Sequence, residues 1–443
     1  MNRIIIKDLG EHVGEEVTVM GWVDIRRDHG KLIFVDLRDR SGILQMVAIP
    51  THDKAHAVAT TIRPEWTITV KGLVKKRPEK MVNKNIPSGD IELEILSIEV
   101  LSKAHELPFE KEAEVNLDTL LDYRPLTLRN ERERGIFSVQ ATLVNAYREA
   151  LRARDFTEFQ APALVGGDAE GGAAAFKVDY FYDKTAYLAT SPQLYKEIMV
   201  GPFERVFTIA RVFRAEKHAT TRHLSELTQM DFEMGFIKNH LDVMEVLEDV
   251  VRDTVNAVAG KHSDVFSKFG TDVPHLGKKF PILRLSEAQD IIDREFGGNS
   301  KGELDMEPEH ERQICEWALR EHGSDFVFIT HYPTAKRAFY TYADPDNPEL
   351  SLSFDLLFRG LEINSGSQRI HDYDEMVKKI ESRGMKPELF SFYLQAFKYG
   401  LPPHGGCSTG LERITARMLN LPNVKEASVF PRDINRIDSL LSE

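Results

Sequence analysis

Three stretches of this 443-residue sequence carry arginines and carboxylates at spacings suited to phosphate and cation chemistry. The first, VFTIARVFRAEKHATTRHLSELTQMDFEM at 206–234, has two strand-like runs around a polar loop at 217–223, the pattern of an antiparallel hairpin. Arg214 and Glu216 are two apart and would share a strand face, and Gln229, Asp231 and Glu233 alternate with Met230, Phe232 and Met234. A solvated face laced with ion pairs is the plain alternative. The functional one is a polar floor where an arginine holds phosphate bidentately and a carboxylate accepts from an amine. The second stretch is SLSFDLLFRGLEINSGSQRIHDY at 351–373. A two-residue turn at Arg359-Gly360 would set Glu362 opposite Leu357 with Asp355 as its diagonal neighbour. Two carboxylates so placed can share a divalent cation, or form a repulsive pair relieved by a nearby Lys or Arg. Arg369 follows the small residues Ser365-Gly366-Ser367, where backbone can approach a ligand closely. The third, YGLPPHGGCSTGLER at 399–413, runs from glycines into a predicted helix whose third or fourth residue is Arg413, a flat cation for stacking or phosphate contact.

Two weaker signals accompany these. The glycines of GGDAEGG at 166–172 could carry Glu170 over a bound cation, or simply form a surface loop. LATSPQLYKEIM at 188–199 reads as a strand end and then a helix, with Lys196 one turn beyond Pro192 and Gln193; a solvated helix face is the simple reading of that lysine.

The elements that must position these residues divide the chain. Alternating runs at 16–27, 32–38, 43–49, 66–75 and 90–102, with turn signals between them and one short helix near 53–62, predict a five-stranded Greek-key barrel of the OB type over 1–103. Residues 104–135 are charged and weakly periodic, which suits a hinge, and helical spacing from about 136 opens a larger α+β region running to 443. At 42% hydrophobic and 29% charged, the chain can bury a sizeable core and is neither a disordered tail nor a fibre. The net charge of −13 argues against a general nucleic-acid coat, but it is unevenly spread. The first 103 residues hold 16 Lys and Arg against 15 Asp and Glu, the remainder 41 against 55, so the front segment is free to meet a polyanion. Two distant cysteines, Cys315 and Cys407, exclude a disulfide framework or zinc ribbon and suit a reducing, cytoplasmic setting. Neither a signal peptide nor a membrane span is expected.

Taken in this order, the motifs resemble class II aminoacyl-tRNA synthetases, and within them the aspartyl-tRNA synthetases of the compact archaeal and eukaryotic type, over essentially the whole chain. FQAPAL (159–164) looks like motif 1, whose proline, here Pro162, sits at a dimer interface; FRAE with TTRHLSE looks like motif 2, and GLER with its preceding glycines like motif 3. Barrel first and catalytic domain second is the order of subclass IIb. The large insertion of bacterial aspartyl enzymes is absent, yet RRDHGKLIFVDLRDRSG looks bacterial in style. The resemblance implies an OB barrel followed by a catalytic domain built on an antiparallel sheet flanked by helices, a cytoplasmic homodimer, and a ligase that uses ATP and Mg2+ to join L-aspartate to tRNA(Asp). It further implies that Arg214 holds the ATP α-phosphate, Glu216 the adenine amino group, Arg222 and His223 the outer phosphates, and Arg413 the γ-phosphate or adenine face. Asp355, Glu362 and Ser365 would hold magnesium. Glu170, Gln193 and Asp231 would surround the amino acid's α-amino group, with Ser191 and Ser365 in the pocket and Lys196 and Arg369 gripping its side-chain carboxylate. Two cations around one small carboxylate make physical sense, since a buried carboxylate needs pairing and an amide cannot use them equally. In the barrel Phe34 would stack an anticodon base, Gln45 read the central uridine, and Arg27 and Glu92 meet neighbouring bases. Ser408 and Thr409 depart from motif 3, where glycine and an aliphatic residue are usual.

Rivals are an asparaginyl-tRNA synthetase, which usually lacks a lysine like Lys196, a tRNA-independent asparagine synthetase, which lacks the barrel, and an inactive RNA-binding paralogue, against which intact Arg214, Glu216, Glu362 and Arg413 weigh. Whether tRNA(Asn) is charged as well turns on two positions: His29 looks like the permissive form and Lys80 like the discriminating one, and the lysine tilts the expectation toward discrimination.

Overall fold

The computed structural model describes residues 2–84, 86–167, 174–217 and 220–437, in two compact units, 1–113 and 114–443. In the first, β1 (Glu16–His29), β2 (Leu32–Arg38), β3 (Ile43–Ala48), β4 (Thr67–Lys76) and β5 (Ile91–Ser102) close a barrel in the order β1-β2-β3-β5-β4, with α1 (Asp53–Thr61) between β3 and β4. Alternation builds it: Ile33, Val35 and Leu37 of β2 are buried inside, while Phe34 and Asp36 between them are partly exposed on the outer face.

The segment 104–135 is not one hinge. The division between units falls inside it, and its second half is helical: α2 (Leu117–Asp122), α3 (Arg124–Thr127) and the first turn of α4 (Glu131–Arg152). Arg124 anchors this part in the large unit through a buried pair with Glu133 at 2.6 Å and bonds to the carbonyls of Glu426, Ser428 and Val429. Charge thus reads as linker in the sequence but works as buried pairing once distant carbonyls converge on it.

The large unit continues with β6 (Thr157–Glu158), β7 (Leu164–Val165), β8 (Lys177–Tyr180), β9 (Lys184–Leu188), α5 (Gln193–Phe203), β10 (Arg205–Phe213), β11 (Glu226–Gly235) and α6 (His240–Lys268). It then runs through β12 (Ile282–Arg284), α7 (Leu285–Phe296), α8 (Pro308–His322), β13 (Phe326–Thr330), β14 (Ser353–Phe358), β15 (Leu361–Gln368), α9 (Tyr373–Ser382), α10 (Ser391–Lys398), β16 (His404–Gly410) and α11 (Leu411–Met418). Eight strands form one sheet in the order β12-β13-β14-β15-β16-β11-β10-β6, antiparallel except at its two ends. One face is covered by α4 and α6, whose Ile136, Val139, Leu143, Val243, Leu247 and Val251 pack with Phe232 and Phe354 of the sheet in the main core. Each such side chain contributes about 1.5–3 kcal/mol when fully buried. Because Met230 and Phe232 point into that core, period-two alternation sends Gln229, Asp231 and Glu233 to the opposite face.

Three local features bear on the site. β10 ends at Phe213, so Arg214 and Glu216 lie in the connection to β11 and not on a strand. The glycines before Arg413 form β16, between β15 and β11: a Cβ on Gly406 would fall on the Phe232 carbonyl oxygen and the Glu233 carboxylate. Pro162 lies exposed in the connection between β6 and β7 and not within a strand.

Candidate active site

The other sheet face, partly covered by α5, α7 and α8, and the connections around it enclose a cleft of about 330 Å³, bordered by Arg214, Glu216, Arg222, His223, Glu362 and Arg413 among others. Arg413 is the third residue of α11 and donates to the Glu362 main-chain oxygen at 3.1 Å, with that residue's Oε1 3.5 Å away. Arg222 pairs with Glu311 of α8, and His223 Nδ1 lies 2.6 Å from Thr220 Oγ1. Burial pushes the Glu311 carboxyl up to about 7 despite the guanidinium beside it. The Nε of Arg214 is buried and has no partner, as are Gln229 Oε1, Asp231 Oδ1 and Asp355 Oδ1. Buried polar atoms without a partner also occur away from the cleft, as at His240 and Asn130, but these four lie in or directly behind its lining, where a bound ligand can meet them.

The two-residue turn forms as expected: Arg359 and Gly360 both have positive φ, 46° and 77°, and Glu362 faces Leu357. A bulge between Leu356 and Leu357 then shifts the register and brings Ser365 directly opposite Asp355. The shift puts Asp355, Glu362 and Ser365 on one face, which spacing alone did not show for the serine. Burial and the neighbouring Asp355 carboxylate raise the Glu362 pKa, and Arg413 and Arg337 oppose the rise. Two mutually repelling carboxylates, a hydroxyl and the unpartnered Asp355 Oδ1 fit a hard divalent cation such as Mg2+. No group of three or more His, Cys, Asp or Glu suited to a metal occurs among the described residues, so the remaining ligands would be nucleotide oxygens and water.

Beside these groups lies a fully buried charge network. Lys196 of α5 is not on a solvated face: its ammonium is 0% exposed, 2.9 Å from Asp231 Oδ2, 3.0 Å from the Cys407 carbonyl and 3.4 Å from Glu233 Oε2. Arg369 donates to Glu233 at 2.9 Å, Ser367 at 2.6 Å and the Gly406 carbonyl at 2.9 Å, and reaches Gln193 Oε1 at 3.5 Å. Gln193 in turn donates to Glu197, whose other oxygen receives the Tyr393 hydroxyl, both at 2.6 Å. Burial alone would lower the pKa of Lys196 and of Arg369, but Asp231 and Glu233 beside the lysine, and Glu233 and Glu197 beside the arginine, override it and hold both cations above their ordinary values. Glu233 is held below its ordinary value against burial by Arg369 and Lys196. Ser191, Gln193, Ser365 and Arg369 border the cleft, and Lys196 and Asp231 lie one layer behind.

Glu170 lies outside the described residues. Sequence reasoning gave no role to Glu233, Glu311 or Arg337. Glu233 was visible in the β11 alternation. Glu311 and Arg337 come from segments with no motif, and only folding brings them to the cleft.

On the barrel, Arg27, Phe34, Gln45 and Glu92 share the outer face. Arg27 stands opposite Phe34 and donates to both Asp36 oxygens at 2.9 and 2.8 Å, and Gln45 donates to Glu92 at 3.2 Å. His29, at the end of β1, packs edge-on against Phe34 with ring centroids 5.6 Å apart. Lys80 is exposed in a short turn (Glu79–Met81) within the β4–β5 connection. The β1–β2 and β4–β5 loops of an OB barrel are those that flank a bound oligonucleotide.

A family model described as tRNA synthetases class II (D, K and N) matches residues 116–434, and one for an OB-fold nucleic acid binding domain matches 17–101. An aspartate–tRNA(Asp/Asn) ligase of Thermus thermophilus is 44% identical over 98% of this chain and 99% of its own length. An aspartate–tRNA(Asp) ligase of Pyrococcus abyssi is 36% identical over 96% of each chain. Among solved structures, asparaginyl-tRNA synthetase from Pyrococcus horikoshii with asparaginyl-adenylate superimposes with a TM-score of 0.90 at 33% identity, covering 99% of both chains.

Proposed function

The chain belongs to the class II tRNA synthetases of the D, K and N group, and from that premise we propose that it is an aspartate–tRNA ligase. It activates L-aspartate with ATP and transfers the aspartyl group to the 3′ end of tRNA. One observation carries the amino-acid assignment: a cleft bordered by Arg214 and Arg413 is backed by two buried cations, Lys196 and Arg369, which a carboxylate side chain can use and an amide cannot use equally.

In this reading the aspartate α-carboxylate attacks the ATP α-phosphorus and pyrophosphate departs. Arg214 meets the α-phosphate, Arg222, His223 and Arg413 the outer phosphates, and Glu216 the adenine amino group. Charge spread over the phosphoryl oxygens is stabilised by cations already in place, so catalysis is positioning and electrostatics without a protein nucleophile. Asp355, Glu362 and Ser365 would hold Mg2+, which when bound neutralises phosphate charge. Arg369 meets the β-carboxylate at the cleft wall. Lys196 joins it on parting from Asp231, whose unpartnered Oδ1 supports a turn toward the α-amino group, with Gln193, Ser191 and Glu170 completing that site. The test is pyrophosphate exchange into ATP with aspartate, asparagine or lysine. Exchange driven by aspartate alone is expected, and exchange driven by asparagine would assign the chain to the neighbouring specificity.

The barrel's outer face supports anticodon reading by Phe34 stacking with Arg27, Gln45 and Glu92 at base edges. Lys80 taken alone favours discrimination, but it is outweighed by His29 and by relatives at 44% and 41% identity named for both tRNA(Asp) and tRNA(Asn). Both tRNAs are therefore read as substrates, with Lys80 tilting preference toward tRNA(Asp). The exposed segment bearing Pro162 and Leu164 supports a homodimer, which sedimentation equilibrium checks. No helix among the described residues is long and apolar enough to cross a membrane, and a cytoplasmic site of action fits the tRNA substrate.

A further inference from the structure

Arg337 follows the short turn Thr334–Lys336 in the connection between β13 and β14, borders the cleft, and has no part in the reading above. Its guanidinium lies 3.9 Å from the centroid of the Tyr332 ring. Nη2 donates to Asp355 Oδ2 at 2.7 Å and Nη1 to Ser365 Oγ at 3.2 Å. One planar cation thus engages two of the three side chains read as cation ligands, at the point where the β-bulge sets them opposite each other. The division of labour on Asp355 is the informative part. Oδ2 is taken by Arg337 and the buried Tyr332 hydroxyl also faces this carboxylate, whereas Oδ1 is buried and has no partner in hydrogen-bond geometry. A carboxylate with one oxygen fixed and the other open is prepared for monodentate ligation, and a fork-shaped guanidinium fixes it in a way a point charge does not.

We infer that Arg337 is a positioning residue for the cation site: it locks Asp355 Oδ2 and the Ser365 hydroxyl so that Asp355 Oδ1 is presented beside Glu362. The inference rests on Asp355, Glu362 and Ser365 being the cation's ligands. Charge supports it. Arg337 pairs with Asp355 and Arg413 lies beside Glu362, so each of the two adjacent carboxylates has a guanidinium next to it. Groups that orient a metal's ligands commonly change metal affinity by about 10- to 100-fold when removed.

The test titrates Mn2+ into the full-length protein with α,β-methylene ATP and follows the enhanced water-proton relaxation of the ternary complex. Arg337→Met is expected to weaken Mn2+ by about 10- to 100-fold, with Arg337→Lys between it and the native protein. Native affinity in both variants, or tighter binding in Arg337→Met, overturns the inference, the latter by making the arginine a competitor for the site. If Arg337→Met does not fold, Arg337→Lys decides alone: weaker binding supports the inference, and native affinity overturns it. Asp355→Asn separates the two readings, since native Mn2+ affinity in that variant would reject the ligand assignment itself, whereas loss there without loss in the Arg337 variants rejects only the role of the arginine.

Discussion

Lys196 has no water to turn to, so its partners decide its effect on both stability and chemistry. Replacing it with methionine leaves Asp231 and part of the Glu233 charge buried without a counterion, a change that typically costs about 3–5 kcal/mol. Lys196→Met should therefore show a clear fall in urea midpoint together with loss of aspartate-dependent exchange, while ATP binding persists at temperatures where it is folded. Native stability with near-normal kcat/KM for aspartate would contradict both the pairing and the pocket. Glu311 gives a pH signature of known sign. Its carboxyl binds a proton more tightly in the folded chain, up to about 7, than at the ordinary value of 4.5. Its contribution to stability is then full below about pH 4.5 and is lost as pH rises through about 7. Glu311→Gln should flatten that part of the stability profile, as urea melts at pH 5, 6 and 7 would read out, and an unchanged slope would assign it to other groups.

At the scale of elements, the β4–β5 connection is where tRNA choice is expected to reside, because tRNA(Asp) and tRNA(Asn) anticodons differ only at the first base. Lys80→Gly should raise charging of tRNA(Asn) relative to tRNA(Asp). Equal weakening of both would make Lys80 a phosphate contact that adds affinity without specificity. The hairpin β14–β15 shows how much an element can be read in advance. The Arg359-Gly360 turn and the facing of Glu362 and Leu357 follow from turn chemistry and period two, since a left-handed pair at the turn fits the strand twist. The bulge that delivers Ser365 does not follow, because one added residue leaves no compositional mark.

At the scale of the molecule, charge and architecture divide the work. The barrel portion is nearly neutral and the rest strongly acidic, so contact with a polyanion falls to the barrel face. A fragment comprising residues 114–443, folded by circular dichroism, should retain most pyrophosphate exchange and lose tRNA charging by a far larger factor. Equal loss of both would contradict the division. In the intact protein charging should fall steeply with added salt while exchange changes less, since only the former includes release of counterions condensed on a polynucleotide backbone.

The sequence by itself determined the barrel, the hairpins, the helix carrying Arg413 and the family, because each rests on short-range periodicity, turn chemistry or motifs within a few residues. It also exposed the polar stripe Gln229, Asp231 and Glu233, since alternation against Met230 and Phe232 is a local pattern. The tertiary structure alone decided what those carboxylates hold. Lys196 reads as a surface lysine until α5 packs beneath β11 and β16, and Arg337 and Glu311 join the cleft from segments 18 and 89 residues from their partners. The segment 104–135 reads as a hinge for the same reason in reverse: its charges find buried partners up to 305 residues away. Pairing of buried charge is a property of distance in space, and no spacing along the chain encodes it.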